Sequence, residues 1–118
     1  MSPKARPVVW LGNSRRNMTD FPKQVRIDMG AALFAAQCGE MAAHVKPFKG
    51  VGSGVFEIAE RYDKEAYRLV YAVQIGESIY VLHAFQKKAK TGIATPQPDI
   101  DLILKRYKEA QEHAKNEQ

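Results

Sequence analysis

Three runs rich in β-branched and aromatic residues, at 55–62, 66–74 and 78–86, follow one another with little more than Asp63-Lys64-Glu65 and Gly76-Glu77 between them. Connections that short leave no room for a crossover helix, so the runs must fold back on each other as an antiparallel meander. Everything else in the chain has to be arranged around that sheet. Residues 22–38 show the other period: Val25, Met29, Ala32, Leu33 and Ala36 fall at i, i+4, i+7, i+8 and i+11, one apolar stripe of a helix. Pro22, after Asp20, is preorganised for its first turn, and Gly39 stands where a C-terminal cap is expected. The apolar residues 7–11 read as a first strand, ended by Gly12-Asn13-Ser14, with Asn13 or Ser14 able to cap a helical turn through Arg15-Arg16-Asn17. After a loop with Thr91, Gly92, Pro96 and Pro98, Asp99 is expected to cap a last helix with Ile100, Ile103, Leu104 and Tyr107 on one face. Residues 109–118 turn polar and are expected to fray. The predicted order is β-α-α-β-β-β-α, an α+β fold with a small antiparallel-rich sheet and helices on one face.

With 118 residues the chain fits one domain, 1–118, and is too short for two cores. Eighteen Lys and Arg against thirteen Asp and Glu leave a net charge of +5, a field that favours anionic partners, nucleic acid first. The single cysteine, Cys38, can form neither an internal disulfide nor a thiolate metal cluster, which fits a reducing compartment. No apolar stretch approaches a membrane span, and the basic start is not followed by a signal-type apolar region, so a cytoplasmic protein without membrane attachment is expected.

Lys49-Gly50-Val51-Gly52-Ser53-Gly54 lacks the Gly-Lys-Ser/Thr and following helix of a nucleotide loop. It reads as a connection into the meander, with backbone contact to a phosphate chain as the second reading. Basic residues bracket the meander: Lys46 and Lys49 before it, Arg61 and Arg68 within it, Lys87, Lys88 and Lys90 after it. Convergence of such a set on one sheet is how a polyanion groove is built. Arg68 lies inside the apolar run Tyr67-Arg68-Leu69-Val70-Tyr71, where a charge either faces a wet cleft or pairs with Glu57 or Glu60 on the neighbouring strand. His83 should alternate with Val81 and Phe85 on one side of the last strand, as a structural histidine or a proton carrier. Tyr67, Tyr71, Tyr80 and Phe85 are core residues or stacking platforms for bases. His44 and His113 show no metal-ligand spacing, and no metal is assigned.

Trp10-Leu11-Gly12-Asn13-Ser14-Arg15-Arg16, Phe21-Pro22-x-x-Val25, Lys46-Pro47-Phe48-Lys49-Gly50, the Tyr67 to Tyr71 run, Val81-Leu82-His83-Ala84-Phe85-Gln86-Lys87-Lys88 and Ile93-Ala94-Thr95-Pro96, in this order, resemble the RelE/ParE toxin superfamily. The closest resemblance is to its phage-derived, HigB-type branch. It implies a RelE-like, microbial-ribonuclease-like fold and the toxin of a type II toxin–antitoxin pair. Such a toxin is an mRNA interferase: a metal-independent endoribonuclease that cleaves mRNA at the ribosome without a cofactor, restrained by a small helix-turn-helix antitoxin protein. By position Arg68 matches the family arginine on the scissile phosphate, and Lys88 falls where another family cation follows the last strand. The RelE type carries lysines on the strand before that arginine; here the strand offers Phe56, Glu57, Ile58 and Ala59, and the family's C-terminal tyrosine has no counterpart near Thr95. Proton transfer therefore falls to His83, Lys87 or Lys49. The expected site has Arg68, His83, Lys87 and Lys88 as catalytic residues, with Lys46, Lys49, Arg61 and Lys90 on the RNA. The alternatives are a non-catalytic inhibitory binder, as in the ParE branch that targets DNA gyrase, or a phage accessory protein without nuclease activity.

Overall fold

The computed structural model describes residues 5–87 and 94–117. Its elements are β1 (Val8–Trp10), α1 (Ser14–Thr19), α2 (Lys23–Gln37), β2 (Val45–Pro47), β3 (Val55–Tyr62), β4 (Glu65–Ala72), β5 (Ile79–Lys87) and α3 (Gln97–Asn116). They form one sheet in the order β1-β5-β4-β3-β2. The meander β3-β4-β5 is antiparallel as predicted, β2 adds an antiparallel edge, and β1 pairs in parallel with β5. β2 was not foreseen, since three residues carry no periodicity; Phe48 extends its pairing through a backbone bond to Val55. The β3-β4 turn puts Asp63 and Lys64 at positive φ, the backbone that matches the twist of paired strands in a two-residue hairpin.

The α+β class holds, but the helices cover both faces rather than one. Along β4, Tyr67, Leu69 and Tyr71 point into a core built with Val25, Met29, Leu33 and Ala36 of α2. Val70 and Ala72 point the other way, into a core with Ile103 and Ala110 of α3. The reason lies in the strand itself: Leu69 through Ala72 are all buried, so neither side of the sheet tolerates water. α2 ends as its sequence predicts, with Gly39 at φ +82 and Glu40 N–H donating back to the Ala35 carbonyl.

α3 departs from expectation at both ends. Its cap position is Pro96, not Asp99; Pro98 sits in the first turn, where its missing N–H costs nothing, and Asp99 follows it. The stretch 109–118 was expected to fray, yet the helix runs to Asn116, because Ala110 is buried and Ala114 packs on the same core. Among the described residues no helix is long and apolar enough to cross a membrane.

Candidate nucleic-acid interface

The face of the sheet that α3 covers is apolar at one end and charged at the other. Strand register explains the charged end. Lys46, Glu57, Val70 and His83 stand side by side across β2, β3, β4 and β5; the next rung carries Ala59, Arg68 and Phe85, and the third Arg61, Ala66 and Lys87. Alternation along each strand puts all of these on one side. The convergence of cations expected from sequence therefore exists for Lys46, Arg61, Arg68 and Lys87. Lys49 lies exposed in the following loop, and Lys88 and Lys90 fall outside the described residues.

Glu57 is the centre of this group. It is 6% exposed, with Oε1 3.6 Å from Arg68 Nε and 4.0 Å from Lys46 Nζ. The ion pair considered for Arg68 is thus present, and it does not neutralise the site: one carboxylate faces Lys46, Arg68 and Lys87. Burial, then the charge of Arg68, lowers the pKa of the Lys87 ammonium below the ordinary lysine value; Glu57 opposes this and Lys46 adds to it. A buried lysine held near other cations gives up its proton more readily than one in water, a useful property in a proton donor.

His83 reaches this face through an irregularity. Tyr71 pairs with Val81 and Val70 with His83, so Leu82 is an extra residue in β5. Two consecutive residues, Leu82 and His83, then point to the α3 side, while Val81 and Ala84 belong to the α2 side. The expectation that His83 shares a side with Val81 is corrected by this bulge; the shared side with Phe85 and Lys87 stands. The His83 ring stacks on Phe85, with centroids 4.8 Å apart and planes 17° apart. Its Nε2 is 2.8 Å from Asp99 Oδ1, and Arg106 Nη1 lies 3.5 Å from Nδ1. A guanidinium only donates, so Nδ1 is the bare nitrogen and Nε2–H donates to Asp99. Burial lowers the His83 pKa most, Arg106 adds to the lowering, and the hydrogen bond and charge of Asp99 oppose it. With both nitrogens engaged and the ring 5% exposed, His83 presents no free lone pair at the surface.

The sequence reading missed Arg106 altogether. It is 7% exposed; Nη1 donates to the Leu82 carbonyl at 3.0 Å, and Nη2 to Asn13 Oδ1 at 2.6 Å. Asn13, expected as a helix cap, makes no side-chain cap bond and serves this guanidinium instead. Gly12 makes the room: its φ is +53, and a Cβ there would stand 2.4 Å from Arg106 Nη2. β1 stops pairing at Val81, and beyond it the open edge of β5 is served from α1, where Ser14 Oγ donates to the Val81 carbonyl and Asn17 Nδ2 to that of Ala84. A cleft of about 630 Å³ lies at this edge, lined by Asn17, Asp20, His83, Phe85 and Asp99 among others.

The remaining candidates fall into structure. Tyr71 and Tyr80 are buried, Tyr67 packs on Phe21 across the other face, and the Tyr80 hydroxyl shares a hydrogen bond of 2.8 Å with His113 Nδ1. His44 pairs with Glu60. The glycine loop is tied down rather than loose: Gly52 lies against the Tyr107 hydroxyl, and Phe48 and Val51 pack on the α3-side core. Among the described residues no three His, Cys, Asp or Glu side chains gather as metal ligands.

No curated protein sequence matches the chain significantly. Among solved structures it is similar to a chain of the RelBE2 toxin–antitoxin complex of Mycobacterium tuberculosis, at 20% identity and a TM-score of 0.47, over 71% of this chain and 100% of that one. The motifs from Trp10 to Pro96 led to a phage-derived branch of proteins, and residues 16–108, which include the β5 bulge and the whole charged face, match one such family: the chain belongs to the phage derived Gp49-like proteins.

Proposed function

We propose that the protein is the toxin of a type II toxin–antitoxin pair, acting as an endoribonuclease on mRNA at the ribosome and held inactive by a small helix-turn-helix antitoxin. The observation that carries this reading is the charged end of the sheet, where Lys46, Arg61, Arg68 and Lys87 share one side and the buried carboxylate of Glu57 faces Lys46, Arg68 and Lys87. RNA cleavage by its own 2′-hydroxyl forms the O2′–P bond as the P–O5′ bond breaks, and it needs a base for the proton the hydroxyl gives up, here solvent water, cations against the charge growing on phosphorus, and an acid for the departing 5′ oxygen. In this reading Arg68 holds the scissile phosphate and Lys87, with its lowered pKa, protonates the 5′ oxygen. Lys88 adds a second phosphate contact, and Lys46, Lys49, Arg61 and Lys90 hold the flanking strand. His83, engaged at both nitrogens, holds β5 in place rather than carrying protons. These side chains supply the charge that a metal ion supplies in other nucleases.

Inducing the chain alone in cells tests the reading. Growth should stop, and mapped mRNA 5′ ends should accumulate inside reading frames, bearing the 5′-hydroxyl that displacement by a 2′-hydroxyl leaves. Lys87→Met should reduce those ends by roughly 100-fold, the usual contribution of one acid–base group. Growth arrest with intact mRNA would instead support the non-catalytic inhibitor.

A further inference from the structure

Arg106 is a buried cation that none of the proposed chemical steps uses. Its three contacts converge on one place: the carbonyl of the extra residue Leu82, the bare Nδ1 of His83, and Asn13 Oδ1. Each has a distinct consequence. The bond to Leu82 holds the carbonyl of the residue that makes the bulge. The contact with Nδ1 favours the one neutral form of His83 whose Nε2–H can donate to Asp99, since a proton on Nδ1 would point at the guanidinium's own N–H. Asn13, beside the glycine that clears the space, fixes the guanidinium itself. We propose that Arg106 is a positioning residue of the candidate site: from beneath the sheet it sets His83 in the neutral Nε2–H tautomer and holds the bulge that turns His83, Phe85 and Lys87 toward Arg68.

The groups around His83 leave this role to Arg106. From α3 come Asp99 and Arg106; on β4 the facing residue is Val70, with Arg68 one rung on; on β3 Glu57 shares the rung; on β5 Lys87 lies two rungs beyond. Asp99 accepts from Nε2–H and, as an anion, favours the charged ring, so it does not select the neutral form. Burial selects it most, and Arg106 adds to this by facing Nδ1 and repelling a second proton there.

The kinetic consequence rests on the nuclease reading; the structural one does not. Long-range ¹H–¹⁵N correlation on the purified protein reads the His83 tautomer directly. In the unaltered protein at pH 7.5 it should show Nε2 protonated and Nδ1 bare, and a charged ring or a protonated Nδ1 would overturn the proposal with no variant needed. In Arg106→Gln the His83 titration midpoint should move up, whereas Arg106→Lys, which keeps a charge facing Nδ1, should keep it low. Asn13→Ala, which leaves the guanidinium in place but unanchored, should shift the midpoint in the same direction as Arg106→Gln. An unchanged midpoint in folded Arg106→Gln would refute the role. RNA cleavage by Arg106→Gln should fall about 100-fold in kcat with KM little changed, the effect of misplacing rather than removing a reacting group. If the tautomer and midpoints behave as stated while the unaltered protein cuts no RNA, the nuclease reading fails and the positioning role stands.

Discussion

Replacing Arg68 by alanine separates two roles that its geometry allows. Arg68 Nε lies 3.6 Å from Glu57 Oε1, and the two side chains are 15% and 8% exposed. At an effective dielectric near 20 that separation corresponds to about 5 kcal/mol of gross attraction, most of it offset by the desolvation of both groups. Breaking a buried pair usually costs about 3–5 kcal/mol because the surviving charge is stranded. Glu57 is not stranded: Lys46 remains at 4.0 Å and Lys87 lies within range. Lys46 is 65% exposed and well screened, so it compensates only in part. The expected loss is therefore about 1–2 kcal/mol, or roughly 4–8 °C in Tm for a chain of this length. Loss of a cation aimed at the transition-state phosphate costs more, about 100- to 1000-fold in rate. Urea unfolding and cleavage of a short RNA, measured on the same Arg68→Ala preparation, give both numbers. A folded variant that cuts RNA at the original rate would refute phosphate contact by Arg68. A loss of 4 kcal/mol or more would show that the pair with Glu57 is what Arg68 is for.

Affinity for RNA should fall steeply with salt, and Lys87→Ala with Lys88→Ala should together lower the slope of log K against log salt by about 1.5–2 units; an unchanged slope would place both lysines off the phosphates. The stability that neutral, buried His83 contributes should be complete above pH 6.5 and decline as the pH falls below it, because the unfolded chain takes up a proton on His83 that the folded chain, with its lowered pKa, resists; His83→Gln should flatten this acid-side slope in urea midpoints measured from pH 8 to 5. At the alkaline end burial raises the Tyr71 hydroxyl pKa from 10.0 to about 12, so the folded state should lose about 2–3 kcal/mol as the pH rises from 10 to 12, and Tyr71→Phe should remove that share of the loss.

Local signals carried most of the fold. The stripe from Val25 to Ala36, the cap at Gly39 and the short separators of the meander each report a neighbour a few residues away, and all three reappear in the structure. What failed was long-range. The second covered face follows from β4 being apolar on both sides, which was written in Leu69-Val70-Tyr71-Ala72 but not weighed against a one-sided layer. In the site, Arg68 was legible because a charge in an apolar strand is conspicuous. Arg106 was not, standing between Lys105 and Lys108 in a polar stretch; the one signal was its place three residues after Ile103 and four before Ala110, inside the buried stripe. Its partner Asn13 lies 93 residues away, a distance that no local pattern spans.

The bulge has the largest consequence of all and the faintest signature. Side chains alternate along a strand, so Ile79 and Val81, on the α2 side, would in regular alternation be joined there by His83, Phe85 and Lys87. Two charged or polar side chains would then enter the core formed by Val25, Met29 and Leu33, and the side that carries Arg68 would lose its lysine. One unpaired residue, Leu82, reverses that outcome: it shifts the alternation so that Phe85 faces the same side as Arg68 and Lys87 follows it. The irregularity sits where β1 ends its pairing at Val81, so β5 is free to change register there, with α1 side chains bonding the carbonyls of Val81 and Ala84 and Arg106 bonding that of Leu82. The charged face thus depends on a backbone defect. Arg106, Asn13 and Gly12 meet at that defect, and none of them belongs to the row of charged side chains that it positions.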